Sequence, residues 1–344
     1  MCCRVYSNSL HITVLIHHHR PDNKQWDQVR KAHRNDTMVG TVTRSTGSWY
    51  RVLTAEGRSV ECRLRGKLKI AGSKATNPVA VGDKVVFQME DGASTGVIEE
   101  ILDRSNYIIR KATRLSRQTH VIAANIDQAV IIVTLAYPRT STGFIERFLV
   151  TCEAYSIPPA IVFNKYDLLT TAADKARLDK LTGIYTNIGY PCLSVSATEN
   201  IHVDSFDRLL KDKVSLLAGH SGVGKSALLN AIEPGLNLKV QPLSKVHKKG
   251  KHTTTFAEMF RLSNGGFIID TPGIKEFGLV DFEAWELCHY FPEMRKFFNL
   301  CRYDNCTHYN EPGCRVQEAV STGDISIQRY ENYLNMLLGE DTRR

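Results

Sequence analysis

No apolar run in this chain approaches the roughly 18 residues that a membrane-spanning helix needs. The stretch from Leu10 to Ile16 is too short, and no signal cleavage site follows it, so no secretory leader is expected. Paired cysteines are lacking as well. The cysteines number nine, an odd count that argues against a disulfide framework. Cys62, Cys152, Cys192 and Cys288 are expected to be ordinary reduced residues, and Cys2 and Cys3 lie in a stretch whose sequence offers no account of them. Acid is not in excess either. Lys and Arg total 44 against 36 Asp and Glu, a net charge of +8 that favours a polyanionic partner without choosing among RNA, DNA and a membrane surface. What is present is a globular composition, with 42% hydrophobic residues and, at 344 residues, room for two or three domains.

Gly219, His220, Ser221, Gly222, Val223, Gly224, Lys225 and Ser226 form a complete G-x-x-x-x-G-K-S phosphate loop. Its context fits the chemistry. Val214 to Ala218 is a short apolar run suited to a buried strand, and Ser226 to Ile232 is a helix start stopped by Pro234-Gly235. Glycines let backbone N–H groups close around phosphate, and the helix start, Ala227 included, adds favourable N–H groups. Lys225 is expected to reach the β- and γ-phosphates, and the Ser226 hydroxyl to ligate Mg²⁺. Asp270-Thr271-Pro272-Gly273 follows the apolar run Gly266 to Ile269. Asp270 at a strand end can hold Mg²⁺ through water, and the Gly273 N–H can sense the γ-phosphate. By itself that motif would be a strand-end turn; the phosphate loop tips the reading.

Asn164-Lys165-Tyr166-Asp167 reads N-K-x-D after the apolar run Ala160 to Phe163. The paired carboxylate oxygens of Asp167 match the adjacent N–H donors of the guanine edge, which adenine lacks. Asn164 is expected to bond the other edge and brace the phosphate loop, and the Lys165 stem to cover the ring. Ser196-Ala197 resembles the short S-A motif whose backbone N–H contacts the guanine oxygen. In an ordinary GTPase chain N-K-x-D comes last, whereas here it precedes the phosphate loop. Either the matches are accidental or the segments of a GTPase domain are circularly permuted.

The switch segment between phosphate loop and Asp270 contains His252-Thr253-Thr254-Thr255. Thr254 is expected to complete the Mg²⁺ shell, with the register open by one residue. Ile274 occupies the position where some GTPases carry a water-orienting Gln, and isoleucine cannot orient water. Slow intrinsic hydrolysis is therefore expected. His252 is a candidate to supply the missing polar group, as readily as it is a solvated loop histidine.

Upstream, short alternating runs separated by turn signals from Val39 to Asp103 suit a small OB-like barrel. Arg58, Arg63, Arg65, Lys67, Lys69 and Lys74, with Trp49 and Tyr50, could make an RNA surface or a solvated face beside a core tryptophan. Arg104, Arg110, Lys111, Arg114 and Arg117 mark a basic link. Downstream, Cys301, Cys306, His308 and Cys314 offer three thiolates and an imidazole, a closed tetrahedral set for structural Zn²⁺. The surrounding polar stretch has little apolar content of its own with which to fold. Helical stretches are expected from Phe282 to Phe298 and from Ser326 to Leu338.

These motifs, in this permuted order, resemble the ribosome small-subunit-dependent GTPase A family, over about residues 38 to 338. The resemblance implies a late-acting assembly factor that binds the 30S subunit and 16S rRNA and is stimulated by the subunit. The expected organisation is multidomain. A flexible arm spans residues 1–36, or an upstream extension with Met38 opening the folded part. An OB-fold-like RNA-binding barrel follows at 37–104, a basic linker at 105–119, a circularly permuted α/β phosphate-loop GTPase domain at 120–280, and an α-helical zinc-binding domain at 281–344. A cytoplasmic monomer using GTP, Mg²⁺ and one structural Zn²⁺ is expected. Two rival readings are a nucleotide-gated RNA-binding module with incidental hydrolysis and an ATP-using enzyme with a degenerate N-K-x-D.

Overall fold

The computed structural model describes residues 37–66, 78–111, 119–238, 257–270 and 285–339. The expected alternating runs appear as β1 (Thr37–Ser45), β2 (Tyr50–Thr54), β3 (Ser59–Leu64), β4 (Lys84–Met89) and β5 (Thr95–Ile101). Strand β1 pairs with both β2 and β4, and β3–β5–β4 completes the circuit, so the five strands close into a barrel. Alternate residues point inward: Val42, Val52, Val60, Cys62, Val85, Phe87 and Ile98 are buried. Tyr50 is buried with them, which removes it from the expected RNA surface. Trp49 stays 39% exposed, with the Arg63 guanidinium 5.3 Å from its ring centroid. Arg63 also pairs with Glu90, and Arg65 with Glu99. Lys67, Lys69 and Lys74 lie outside the described residues.

The basic link is partly strand. Residues of β6 (Tyr107–Lys111) pair antiparallel with β7 (Thr119–Ala124). Arg104 does not face solvent as a free cation. Its guanidinium donates to both carboxylate oxygens of the fully buried Asp83 at 2.7 Å and so ties the link to the barrel.

The second sheet contains β8 (Gln128–Val133), β9 (Pro159–Phe163), β10 (Cys192–Ser194), β11 (Val214–Ala218), β12 (Glu258–Arg261) and β13 (Phe267–Asp270). Their order is β10-β9-β8-β11-β13-β12, parallel throughout except for β12. At its β12 edge this sheet joins the barrel through an Arg44–Glu258 register pair with β1. Every residue of β8 is buried, as expected for a strand covered on both faces. Ala129, Ile131 and Val133 enter one apolar cluster, while Val130 and Ile132 enter another on the opposite face.

Helices α1 (Thr142–Ala154), α2 (Ala172–Ile188), α3 (Val203–Leu210) and α4 (Lys225–Ile232) accompany the sheet. Each long helix starts with a side-chain cap. Ser141 accepts from the Phe144 N–H at the start of α1, and Thr171 with Asp174 forms a capping box on α2.

The C-terminal region packs short helices: a 3₁₀ turn at Leu287–Tyr290, then α5 (Pro292–Arg295), α6 (Arg315–Thr322) and α7 (Ile327–Leu337). Helix α7 matches the expected stretch, but Phe282 to Phe298 is not one helix. Pro292 follows Phe291, which has an extended backbone, so the chain breaks there and restarts. Residues 271–284 lie outside the described residues. Val150 of α1 sits inside the core of this region with Phe291, Met294, Val316 and Tyr333. No helix among the described residues is long and apolar enough to cross a membrane.

Candidate active site and metal centre

The parallel strands bring their carboxyl ends to one edge of the second sheet, where open α/β sheets bind ligands. Phe163 registers with Val133 and Ser194, and Ala218 with Ile131. The guanine-type motif after β9, the Ser-Ala pair after β10, the phosphate loop after β11 and Asp270 at the end of β13 therefore share that edge. The permuted segments are reassembled in space.

The phosphate loop depends on its glycines. Gly219 has φ +142°, and an added Cβ would lie 2.3 Å from the Ile132 carbonyl oxygen. Gly224 has φ +94°, and its Cβ would lie 2.3 Å from Asn164 Nδ2. Gly224 also caps α4 without a side-chain hydrogen bond, so no side chain competes there for the first-turn N–H groups. Lys225 folds back over the loop, its Nζ donating to the carbonyl oxygens of Gly219 at 2.6 Å and His220 at 2.9 Å. The His220 ring stacks on Phe144 of α1, centroids 3.9 Å apart. Val223 is buried. Ser221 and Gly222 complete the turn, and Ser226 and Ala227 lie in the first turn of α4.

Asn164 links this loop to the Asn164–Asp167 segment after β9. Its Nδ2 donates to the Val223 carbonyl at 2.7 Å, while its buried Oδ1 has no hydrogen-bond partner among the described residues. The Ser196 hydroxyl donates to Asp167 Oδ1 and fixes the carboxylate. Ser196 also exchanges backbone hydrogen bonds with Ile201, shaping the turn that carries Ala197. Lys165 adopts a left-handed backbone (φ 62°), and its Nζ donates to the Tyr137 carbonyl at 2.6 Å. Burial pushes the Lys165 ammonium below its ordinary value, opposed by the Asp167 carboxylate.

Oxygen donors suit a hard cation such as Mg²⁺, and the Ser226 hydroxyl and Asp270 carboxylate are of that kind. Strand β13 pairs with β11, which brings the backbone at Asp270 beside the strand leading into the phosphate loop. His252, Thr253, Thr254, Thr255, Gly273 and Ile274 lie outside the described residues. At the opposite edge of the sheet is a cavity of about 570 Å³ lined by Asp127, Lys213, Glu153 and Arg295 among others. Lys213 donates to the neutral Gln128 amide, and Arg295 pairs with Glu153.

Cys301, Cys306, His308 and Cys314 converge, with one ligand atom from each lying within 4.8 Å of the others. His308 Nδ1 is 3.6 Å from Cys301 Sγ and 3.4 Å from Cys314 Sγ. The Arg315 N–H points to Cys301 Sγ at 3.4 Å, and the Gln317 N–H to Cys314 Sγ at 3.5 Å, the hydrogen bonds that orient metal thiolates. Soft thiolates and an imidazole fit Zn²⁺, so the cluster could hold it. Glu311 braces the loop by accepting from the N–H groups of Thr307, Tyr309 and Asn310.

One constellation was not anticipated from the motifs. Arg329 of α7 is 1% exposed and pairs with Glu146 of α1 and Glu293 of α5, both buried. Its guanidinium carbon lies 5.0 Å from the Phe291 ring centroid, and Tyr185 of α2 donates to Glu146 at 3.0 Å. A signal existed. Glu146 interrupts the apolar run Phe144-Ile145-x-x-Phe148-Leu149, and Arg329 lies on the stripe of Tyr333 and Met336 at i+4 and i+7.

The RsgA N-terminal domain matches residues 39–98 and the RsgA GTPase matches residues 101–280. A small ribosomal subunit biogenesis GTPase RsgA 2 of Bacteroides thetaiotaomicron is 52% identical over 302 residues, covering 87% of this chain and 96% of that protein. A small ribosomal subunit biogenesis GTPase RsgA of Flavobacterium johnsoniae is 50% identical over 306 residues, covering 88% of this chain and 94% of that protein. The crystal structure of YjeQ from Thermotoga maritima superposes with a TM-score of 0.72 at 36% identity, covering 90% of this chain and 100% of that one. That of YloQ, described as a circularly permuted GTPase, gives 0.70 at 30% identity, covering 91% and 98%. The reassembled edge, the barrel before it and these likenesses agree, and the chain belongs to the RsgA family of circularly permuted GTPases.

Proposed function

We propose that this GTPase binds the small ribosomal subunit and acts late in its maturation, hydrolysing GTP to GDP and phosphate under stimulation by the subunit. The observation that carries the nucleotide part is the Asn164 to Val223 hydrogen bond of 2.7 Å, which joins base recognition to the phosphate loop across the permutation. The subunit part rests on relatives named for small ribosomal subunit biogenesis and on the net charge of +8.

Asp167, fixed by Ser196, accepts from the guanine edge, and Lys165 covers the ring. The N–H groups of Gly219 to Ala227 and the Lys225 ammonium surround the β- and γ-phosphates, where negative charge shifts as the bond to the leaving oxygen breaks. Water attacks the γ-phosphorus, and GDP leaves. Ser226, Asp270 and Thr254 would hold Mg²⁺, which supplies charge neutralisation on the phosphates. The Gly273 N–H reports the γ-phosphate. With isoleucine at 274, His252 orients the attacking water. Cys301, Cys306, His308 and Cys314 would hold a structural Zn²⁺, because four protein ligands would leave no position open for water.

The working division is a barrel at 37–104, a linker at 105–119, a GTPase domain at 120–280 and a zinc-binding domain at 281–344. Barrel and link face 16S rRNA, and the protein works as a monomer in the cytoplasm. Labelled-GDP binding with ATP and GTP as competitors, followed by co-sedimentation with small subunits, tests the proposal. Competition by GTP alone and pelleting in the GTP-analogue state are expected. Competition by ATP would point to the rival ATP-using enzyme, and failure to pellet with subunits in either state would contradict the partner.

A further inference from the structure

Helix α1 belongs to two cores at once. Phe144, Ile145, Phe148, Leu149 and Cys152 pack in the core of the GTPase sheet, whereas Val150 packs among the C-terminal helices. At its first turn Phe144 stacks on His220 of the phosphate loop at 3.9 Å. Two residues on, Glu146 receives Arg329 of α7. Arg329 is clamped from its other side by Glu293, with Nη2 to Oε2 at 3.1 Å. The next residue of α7, Tyr330, donates to the His308 carbonyl at 2.6 Å, and Tyr333 donates to the Thr307 carbonyl at 2.5 Å. His308 is a metal-type ligand, and Thr307 sits beside it. An unbroken series of contacts thus runs from the Cys₃His cluster through α7 and α1 to the phosphate loop.

The chemistry of these contacts makes the series stiff. Glu146 and Glu293 hold one buried guanidinium between them, so sliding α7 along α1 would strand the Arg329 charge away from water. The stack at His220 is close-packed, and packed interfaces respond to displacement by switching between arrangements more than by bending. A displacement of the metal loop would therefore be transmitted to α7, and one of α7 to α1, unless a contact in the series breaks.

We propose that α1 and α7 form a relay through which the Cys301–Cys306–His308–Cys314 cluster positions the phosphate loop, with Arg329 as the positioning residue, so that metal and guanine nucleotide each tighten the other's binding. The inference rests on the nucleotide-site reading above. Reciprocity is a thermodynamic requirement: if zinc raises GDP affinity by some factor, GDP raises zinc affinity by the same factor. Contact becomes coupling only when a change at one end alters affinity at the other.

The experiment uses the full chain with GDP as nucleotide and Zn²⁺ as metal. GDP affinity is measured by titration for the unaltered protein and for Arg329→Lys, each at full zinc content, with Arg208→Lys at an exposed position of α3 as control. The His220 ring resonance is followed in the same samples. Arg329→Lys is expected to weaken GDP binding about fivefold or more and to shift the His220 resonance, while the control does neither. In the unaltered protein, saturating GDP is expected to strengthen retention of zinc against a chromophoric chelator by the factor that zinc strengthens GDP binding. Equal GDP affinities with an unmoved His220 resonance in folded, zinc-loaded Arg329→Lys would overturn the relay. If Arg329→Lys does not fold, the chelator arm decides: zinc retention indifferent to GDP overturns it. Should the unaltered protein bind no GDP, the nucleotide reading fails, and the relay then stands or falls on whether zinc removal moves the His220 resonance.

Discussion

Under the proposed function Asp167 would carry the base selectivity of the candidate site, with the Ser196 hydroxyl holding it in place. Because the Ser196 hydroxyl donates to one carboxylate oxygen, the carboxylate meets guanine already oriented. Ser196→Ala is expected to weaken GDP binding about tenfold, the scale of a hydrogen bond to a charged group. Titration with labelled GDP checks this, and an unchanged affinity would remove Ser196 from the site. Asp167→Asn replaces an acceptor with an N–H donor. Guanine affinity is expected to fall on the order of 100-fold or more, and affinity for xanthine nucleotides, which carry an oxygen where guanine has an amino group, to rise. Competition between GDP and xanthosine diphosphate reads both changes. The motif residues were legible in the sequence because their spacing encodes chemistry. The Ser196–Asp167 bridge was not, since it joins segments whose distance is set by the β9–β10 pairing.

Helix α1 shows what a single element carries beyond its motifs. Burial pushes the Glu146 carboxyl up to about 7, against the pull of Arg329, while Glu293 across the same guanidinium adds to the rise. Tyr185 and Arg329 are the other titratable groups bonded to it. The unfolded chain releases this proton near the ordinary value of 4.5 and the folded chain holds it to about 7. Glu146 therefore contributes stability that is full below about pH 4.5 and is lost as pH rises toward about 7. Glu146→Gln cannot titrate, so its denaturant midpoint is expected to fall less than that of the unaltered chain between about pH 5 and pH 7. Parallel profiles would show that another group sets the slope. In the C-terminal region the metal is expected to supply what the small core does not. Cys306→Ser or chelation is expected to lower the melting transition by on the order of 5 °C or more, read by circular dichroism with metal content measured in parallel. An unchanged transition in metal-free protein would mean that the helices hold the loop unaided. Alternating runs made the barrel readable, and short apolar runs made the parallel strands readable; the caps of α1 and α2 emerged only with the structure. The expected helical stretch Phe282 to Phe298 is interrupted at Pro292, where the missing N–H and the extended residue before it end the turn.

At the scale of the whole molecule, motif order in the chain and motif order in space differ, and the second follows from strand pairing. Strand β8, the first of the second sheet in sequence, lies in its interior between β9 and β11. The guanine segment and the phosphate loop therefore meet although the chain has been re-cut between them. That outcome was legible because each motif follows its own apolar strand. The joining of the two sheets at Arg44 and Glu258 was not, because a single register pair leaves no periodic trace. Nor was the use of Arg104 to hold Asp83, since a charge run gives no information about which members fold back. The central claim is a GTPase whose hydrolysis answers to the small ribosomal subunit. It is tested most directly by phosphate release from GTP with the protein alone, then with small subunits, large subunits or whole ribosomes. A slow rate alone, raised at least about tenfold by small subunits and not by large ones, is the predicted result. Equal rates with every particle, from a protein that binds GTP, would contradict it.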